Sequence, residues 1–156
     1  MRRLALSVLP LIGVMLQGCK AAAPGKMQTK VITRAKHSFL VGNKNARCPL
    51  TSNAKTIAEG KEAFTHYCVV CHGLDGQNTG VPFADRMDPP VPSLASDDIQ
   101  SYTDGQLKWV IDNGIAPSGM PASKQVLSDD EQWAIVVFLR HLPPAGSLGE
   151  PAVYGN

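Results

Sequence analysis

The chain has 156 residues, of which 44% are hydrophobic and 18% charged, with a formal net charge of +2. That length leaves room for one small domain with flanking segments, and a balance so near neutrality lacks the polybasic footprint of a nucleic-acid binder. The total hides a division: from Lys20 to Arg47 there are seven Lys and Arg and no acids, whereas from residue 48 onward six basic residues stand against thirteen acids.

Arg2 and Arg3 precede an apolar run from Leu4 to Leu16. The run is too short to span a bilayer as a mature helix, which predicts a secretory signal peptide over residues 1–18. It ends at Leu16-Gln17-Gly18-Cys19, which resembles a bacterial lipoprotein box apart from the bulk of Gln17. The resemblance implies that Cys19 is acylated and opens the mature protein. Lys20 differs from the aspartate that retains lipoproteins in the inner membrane. Residues 19–53 then read as a basic tether or arm. Such an arm is either drawn to anionic head groups, at about 1 kcal/mol per residue near the surface, or a solvated linker. Two apolar clusters, Val31-Ile32 and Phe39-Leu40-Val41, offer a third outcome, in which the arm packs on the domain.

The domain itself spans residues 54–143. A capping box, Thr56-x-x-Glu59, predicts a helix that continues through Ala63, Phe64 and Tyr67. It runs into Cys68-Val69-Val70-Cys71-His72. C-x-x-C-H is the pattern that attaches c-type haem: cysteines one helical turn apart can form thioethers at one porphyrin edge, and the histidine falls beneath the iron. A zinc site completed by Cys48 and His66 would need a second close pair of ligands, and a redox dithiol would need a βαβ context, neither of which the chain offers. Residues 80–96 carry Pro82, Pro89, Pro90 and Pro92 and read as an extended wrap.

A second capping box, Thr103-x-x-Gln106, opens a helix with Leu107, Val110 and Ile111 on one side, stopped at Asn113-Gly114. Beyond it Met120, between Gly119 and Pro121, sits in a segment too rich in Gly and Pro to be helical, which suits a loop carrying a thioether to the distal side of a haem. Met87, among charges and close in sequence to His72, is the weaker candidate. A third capping box, Ser128-x-x-Glu131, opens a helix with Trp133, Val136, Val137 and Leu139 that ends before Pro143-Pro144. No stretch reads as a sheet. Residues 144–156 form a glycine-bearing tail that could lie across the domain through Val153 and Tyr154.

Phe64, the C-x-x-C-H motif followed by Gly73, Asp75-Gly76, Asn113-Gly114, Gly119-Met120-Pro121 and a final helix with Trp133 together resemble class I cytochrome c, in that family's order and over residues 54 to 143. The resemblance implies an all-α cytochrome c fold, three main helices around one covalently attached haem c, with an irregular N-terminal arm. It makes Cys68 and Cys71 the attachment sites, His72 the proximal ligand and Met120 the distal ligand. It also sets Gly60 and Phe64 on the first helix against Trp133 and Phe138 on the last. Trp109 and Tyr102 would pack in the haem pocket, where either could hydrogen-bond a propionate. A domain of roughly 90 residues is small for its own core, so the macrocycle would supply apolar contact that the side chains lack.

The expected function is therefore single-electron transfer in the bacterial periplasm or cell envelope, from a lipid-anchored carrier that is not itself an enzyme. Its redox partners would present a basic docking surface to the acid-rich domain. Two alternatives stand beside it: a cytochrome subunit of a larger membrane oxidoreductase complex, and a haem enzyme or gas sensor with an open distal site. The latter would need an acid-base residue above the iron, and no distal His-Arg pair is evident. His66 and His141 lack the context of ligands, as does His37. Cys48, left over once haem and lipid take their thiols, reads as a small buried hydrophobe or as a partner for an unacylated Cys19.

Overall fold

The computed structural model describes residues 41–116 and 118–147. The signal segment, Cys19, Val31-Ile32, His37, Phe39-Leu40, Val153 and Tyr154 lie outside the described residues. Within them the order is α1 (Ala54–Tyr67), α2 (Val69–His72), a 3-10 turn (Ala84–Arg86), α3 (Asp97–Gln100), α4 (Asp104–Asn113) and α5 (Asp129–Leu139). Among these residues there is no strand, only an isolated bridge between Ile115 and Met120, so the fold is the all-α one expected. No described helix is long and apolar enough to cross a membrane.

α1 starts earlier than its expected capping box. Asn53 is the N-cap, and its side chain accepts from the Thr56 backbone N–H at 3.0 Å. Asparagine caps as well as threonine does, and Thr56 at the third helical position is buried instead. Thr56, Gly60, Ala63 and Phe64 form the buried stripe, at the three-and-four spacing of one helical face. That face meets α5, which is buried along every residue from Gln132 to Leu139. A helix apolar all round is a core helix, and α5 occupies that place. The crossing is tight at Gly60, where an added Cβ would stand 2.0 Å from the Ala134 carbonyl oxygen and 3.0 Å from Phe138 Cβ. Gly60 therefore faces the Ala134 backbone and Phe138. The Phe64 and Phe138 rings, 5.3 Å apart and tilted by 52°, complete the contact in the geometry aromatic pairs favour.

The other two capping boxes form as read. Thr103 and Gln106 exchange side-chain and backbone bonds at the start of α4, and Ser128 and Glu131 do so at the start of α5. α4 stops at Gly114, whose φ of +66° is open to glycine. Arg140, the residue after α5, latches this corner: Nε donates to Asp104 Oδ1 at 2.8 Å, Nη1 to the Gln100 carbonyl at 2.9 Å, and Nη2 to the Tyr102 carbonyl.

Residues 42–53 of the arm lie on the domain. The Thr103 hydroxyl donates to the Lys44 carbonyl at 2.9 Å, Ala46, Cys48 and Leu50 pack on the core, and a Cβ at Gly105 would stand 2.1 Å from the Asn43 carbonyl oxygen. The proline-bearing segment is not a plain extended wrap. It doubles back, with the Val91 N–H donating to the Ala84 carbonyl at 3.0 Å and the Leu94 N–H to the Gly76 carbonyl at 2.7 Å. Prolines fix φ at a value that turns accept, so the same residues serve a folded loop.

Candidate functional site

Cys68 is the residue on which α1 ends. Its backbone N–H donates to the Phe64 carbonyl at 2.9 Å, and its own carbonyl accepts from Cys71 at 3.2 Å and His72 at 3.0 Å. The three chemical side chains of the motif are thus fixed to the end of a helix whose Thr56, Gly60, Ala63 and Phe64 face is buried. Cys68 and Cys71 are free, half-buried thiols. Burial, and then the neighbouring Cys71, push the Cys68 thiol up to about 11, so it is protonated at neutral pH. His72 is held neutral: burial lowers its pKa, against a weaker pull from the Pro92 carbonyl. Its Nδ1 is buried without a partner in hydrogen-bond geometry. Neutral imidazole is the ligating form.

Met120 is half-buried in the loop between α4 and α5. Gly114 lets the two limbs of this loop approach, since a Cβ there would stand 2.5 Å from the Met120 carbonyl oxygen. The loop closes where the Ile115 N–H donates to that same oxygen at 3.1 Å. The structure also brings Met87 to this loop, its methyl 3.1 Å from where a Cβ on Gly119 would stand. Nothing local in the sequence signals that approach, because it follows from the doubling back of residues 73–96.

Around these groups apolar surface is left facing outward. Val70 of the motif, Phe83 of the proline-bearing segment and Ile115 of the methionine loop are 67%, 43% and 45% exposed. Two thiols, a neutral histidine, a thioether loop and outward apolar side chains fit a covalently held apolar macrocycle.

Other residues are occupied elsewhere. His66 Nδ1 lies 2.9 Å from the Glu62 carbonyl oxygen, and His141 Nδ1 lies 2.7 Å from that of Val137. Trp109 lies against the arm, its Nε1 2.7 Å from where a Cβ on Gly42 would stand, and Tyr102 packs on the core cluster. The Cys48 thiol is 3.7 Å from the Leu50 carbonyl oxygen, and burial pushes its pKa up. Among the described residues no group of three or more His, Cys, Asp or Glu could hold a metal ion, and that deprives the zinc reading of its site. A groove of about 780 Å³ beside Lys44, Cys48, Asp104 and Arg140 includes none of Cys68, Cys71, His72 and Met120, and so lies apart from this chemistry.

An all-α domain whose first helix ends in C-x-x-C-H and whose last connection carries the methionine loop is a c-type cytochrome. The family model for cytochrome c oxidase, cbb3-type, subunit III matches residues 55–139, and the chain belongs to that family. Its role is accordingly electron transfer with haem. Among solved structures it is similar to the reducing HAO-like protein complex Kustc0457/Kustc0458 of Kuenenia stuttgartiensis, at 23% identity and a TM-score of 0.52 over 60% of this chain. That likeness shows the fold, and the match spans 46% of the other chain's length. No curated protein matches.

Proposed function

We propose that the protein is a monohaem cytochrome that passes single electrons between redox partners in the bacterial cell envelope, with no substrate bound at the iron. The observation that carries this reading is the loop that presents Met120 from the segment between α4 and α5, in a fold whose C-x-x-C-H motif is fixed at the end of α1. The sequence holds one such motif, hence one haem. Cys68 and Cys71 would hold it through thioethers, and His72 and Met120 would ligate its iron. When bound, the group supplies one-electron cycling between ferric and ferrous iron, and a Met/His pair raises its potential. The exposed side chains of Val70, Phe83 and Ile115 would give it apolar contact.

The thirteen acids from residue 48 onward support a docking partner with a basic surface, whose encounter would slow as salt rises. Acylation of Cys19 would tether the domain to a membrane. A second reading, a cytochrome subunit of a larger oxidoreductase, is favoured by the family's description as an oxidase subunit.

The test is the spectrum of the mature protein, expressed with haem attachment, in both oxidation states with and without carbon monoxide, beside Met120→Ala. A low-spin spectrum indifferent to carbon monoxide until Met120 is removed supports the carrier. High-spin iron that binds carbon monoxide in the unmutated protein overturns the closed site.

A further inference from the structure

Lys108 is 7% exposed, and its ammonium meets three acceptors: Asp129 Oδ1 at 2.7 Å, Asp112 Oδ2 at 2.9 Å and Gln132 Oε1 at 2.9 Å. It also sits 5.6 Å from the centre of the Trp133 ring. Burying a cation costs several kcal/mol before its partners compensate, in the usual case. Joining α4 to α5 does not require one, because an apolar pair of similar volume does that as well. What an apolar pair could not do is continue the chain of bonds outward.

Gln132 does so. Its Nε2 donates to the Leu127 carbonyl at 3.4 Å and to the Ser123 hydroxyl at 3.5 Å. The Ser123 hydroxyl in turn donates to the Ile111 carbonyl at 2.6 Å, as does its backbone N–H at 3.1 Å. The Lys124 N–H reaches the Asp112 carbonyl at 3.3 Å. Ser123 lies three residues beyond Met120, so the downstream stem of the methionine loop is tied to the last turn of α4 and, through Gln132, to the buried cation. The upstream stem is α4 itself, closed by the Gly114 N–H on the Val110 carbonyl at 2.8 Å.

We propose that Ser123, Gln132 and Lys108 are positioning residues for Met120: the network clamps both stems of its loop and sets how often the thioether leaves the iron. This rests on Met120 as the distal ligand. The role is to control access to a sixth coordination site, separate from holding the helices together.

The experiment uses the haem-loaded full chain in the ferric state. Imidazole can enter only after the thioether departs, so its binding rate at saturation reads loop opening. The near-infrared band of thioether-ligated ferric haem reads the bond itself. Ser123→Ala and Gln132→Leu are compared with Asn53→Ala, which removes the N-cap of α1 away from the loop, and guanidinium unfolding is measured for each. Opening is expected to quicken about fivefold to tenfold in Ser123→Ala, which loses the hydroxyl's bonds to the Ile111 carbonyl and Gln132, and at least as much in Gln132→Leu, which loses those to Lys108, Ser123 and the Leu127 carbonyl. It should stay within twofold of the unmutated rate in Asn53→Ala at comparable loss of global stability. Rates unchanged in the loop variants, or raised equally in Asn53→Ala, overturn the proposal alone. An unmutated protein without the thioether band overturns the Met120 assignment and the proposal together.

Discussion

Replacing Gly60 with alanine tests the helix crossing on which the site is built. On an exposed helix the change would stabilise by about 1 kcal/mol, because alanine is the better helix former. Here the new methyl would stand 2.0 Å from the Ala134 carbonyl oxygen. That neighbour is backbone and cannot rotate aside. To reach the 3.0 Å below which real contacts are not found, α1 and α5 must part by at least 1 Å. A gap of that size forfeits roughly a quarter to a half of each dispersion contact across it, including those of Phe64, which is 1% exposed. Overpacking a close-packed interior costs about 1–3 kcal/mol, and more where relief is blocked. Taking the upper end of that range because relief is blocked, and net of the propensity gain, Gly60→Ala should lose about 2 kcal/mol. Guanidinium unfolding of the haem-loaded protein, followed by far-ultraviolet circular dichroism and tryptophan fluorescence, measures it. Gly105→Ala is the companion: its methyl would meet the Asn43 carbonyl oxygen at 2.1 Å, on a segment free of helical constraint that can lift away, so its loss should be smaller. A Gly60→Ala variant as stable as the parent, or more so, would refute the crossing.

Ser128→Ala removes the cap of α5 and should cost about 1 kcal/mol in the same unfolding assay. Bonds from the Ser128 hydroxyl and backbone N–H hold the Glu131 carboxyl below its usual range. That contribution is complete above pH 4.5, the ordinary value, and is lost as pH falls through the lowered one, so the acid limb of stability should flatten in Ser128→Ala. Arg140→Ala breaks the latch to Asp104, Gln100 and Tyr102 and should cost about 2 kcal/mol, the scale of charge-assisted bonds at a partly exposed site, seen as a lower midpoint in guanidinium. Because Met87 reaches the same loop as Met120, Met120→Ala should retain some low-spin iron that Met87→Leu/Met120→Ala lacks. Equal carbon monoxide titrations of the two variants would remove Met87 from consideration.

What the sequence made legible was what lies close together along it. C-x-x-C-H is contiguous, and the boxes at Thr103 and Ser128 are bonds across three residues. The same locality misplaced the start of α1, because Asn53 offered a competing acceptor to the same Thr56 N–H. The folded loop of residues 73–96 depends on the bond from Leu94 to Gly76, which proline content does not encode. Lys108 reads as an ordinary polar position on an amphipathic helix. Its burial depends on Asp129 and Gln132, both beyond the methionine loop. The proximity of Met87 to Gly119 was invisible for the same reason.

The pairing of α1 with α5 joins the first and last elements of the domain, and residues 68–128 form the loop it closes. Chain entropy opposes closing so long a loop and is repaid only once the Phe64 and Phe138 rings meet. In a chain emerging N-terminus first, Cys68 and Cys71 appear well before the helix that clasps their own. The last eleven-residue helix is thus the element that closes the domain, and until it is made the end of α1 stays unclasped.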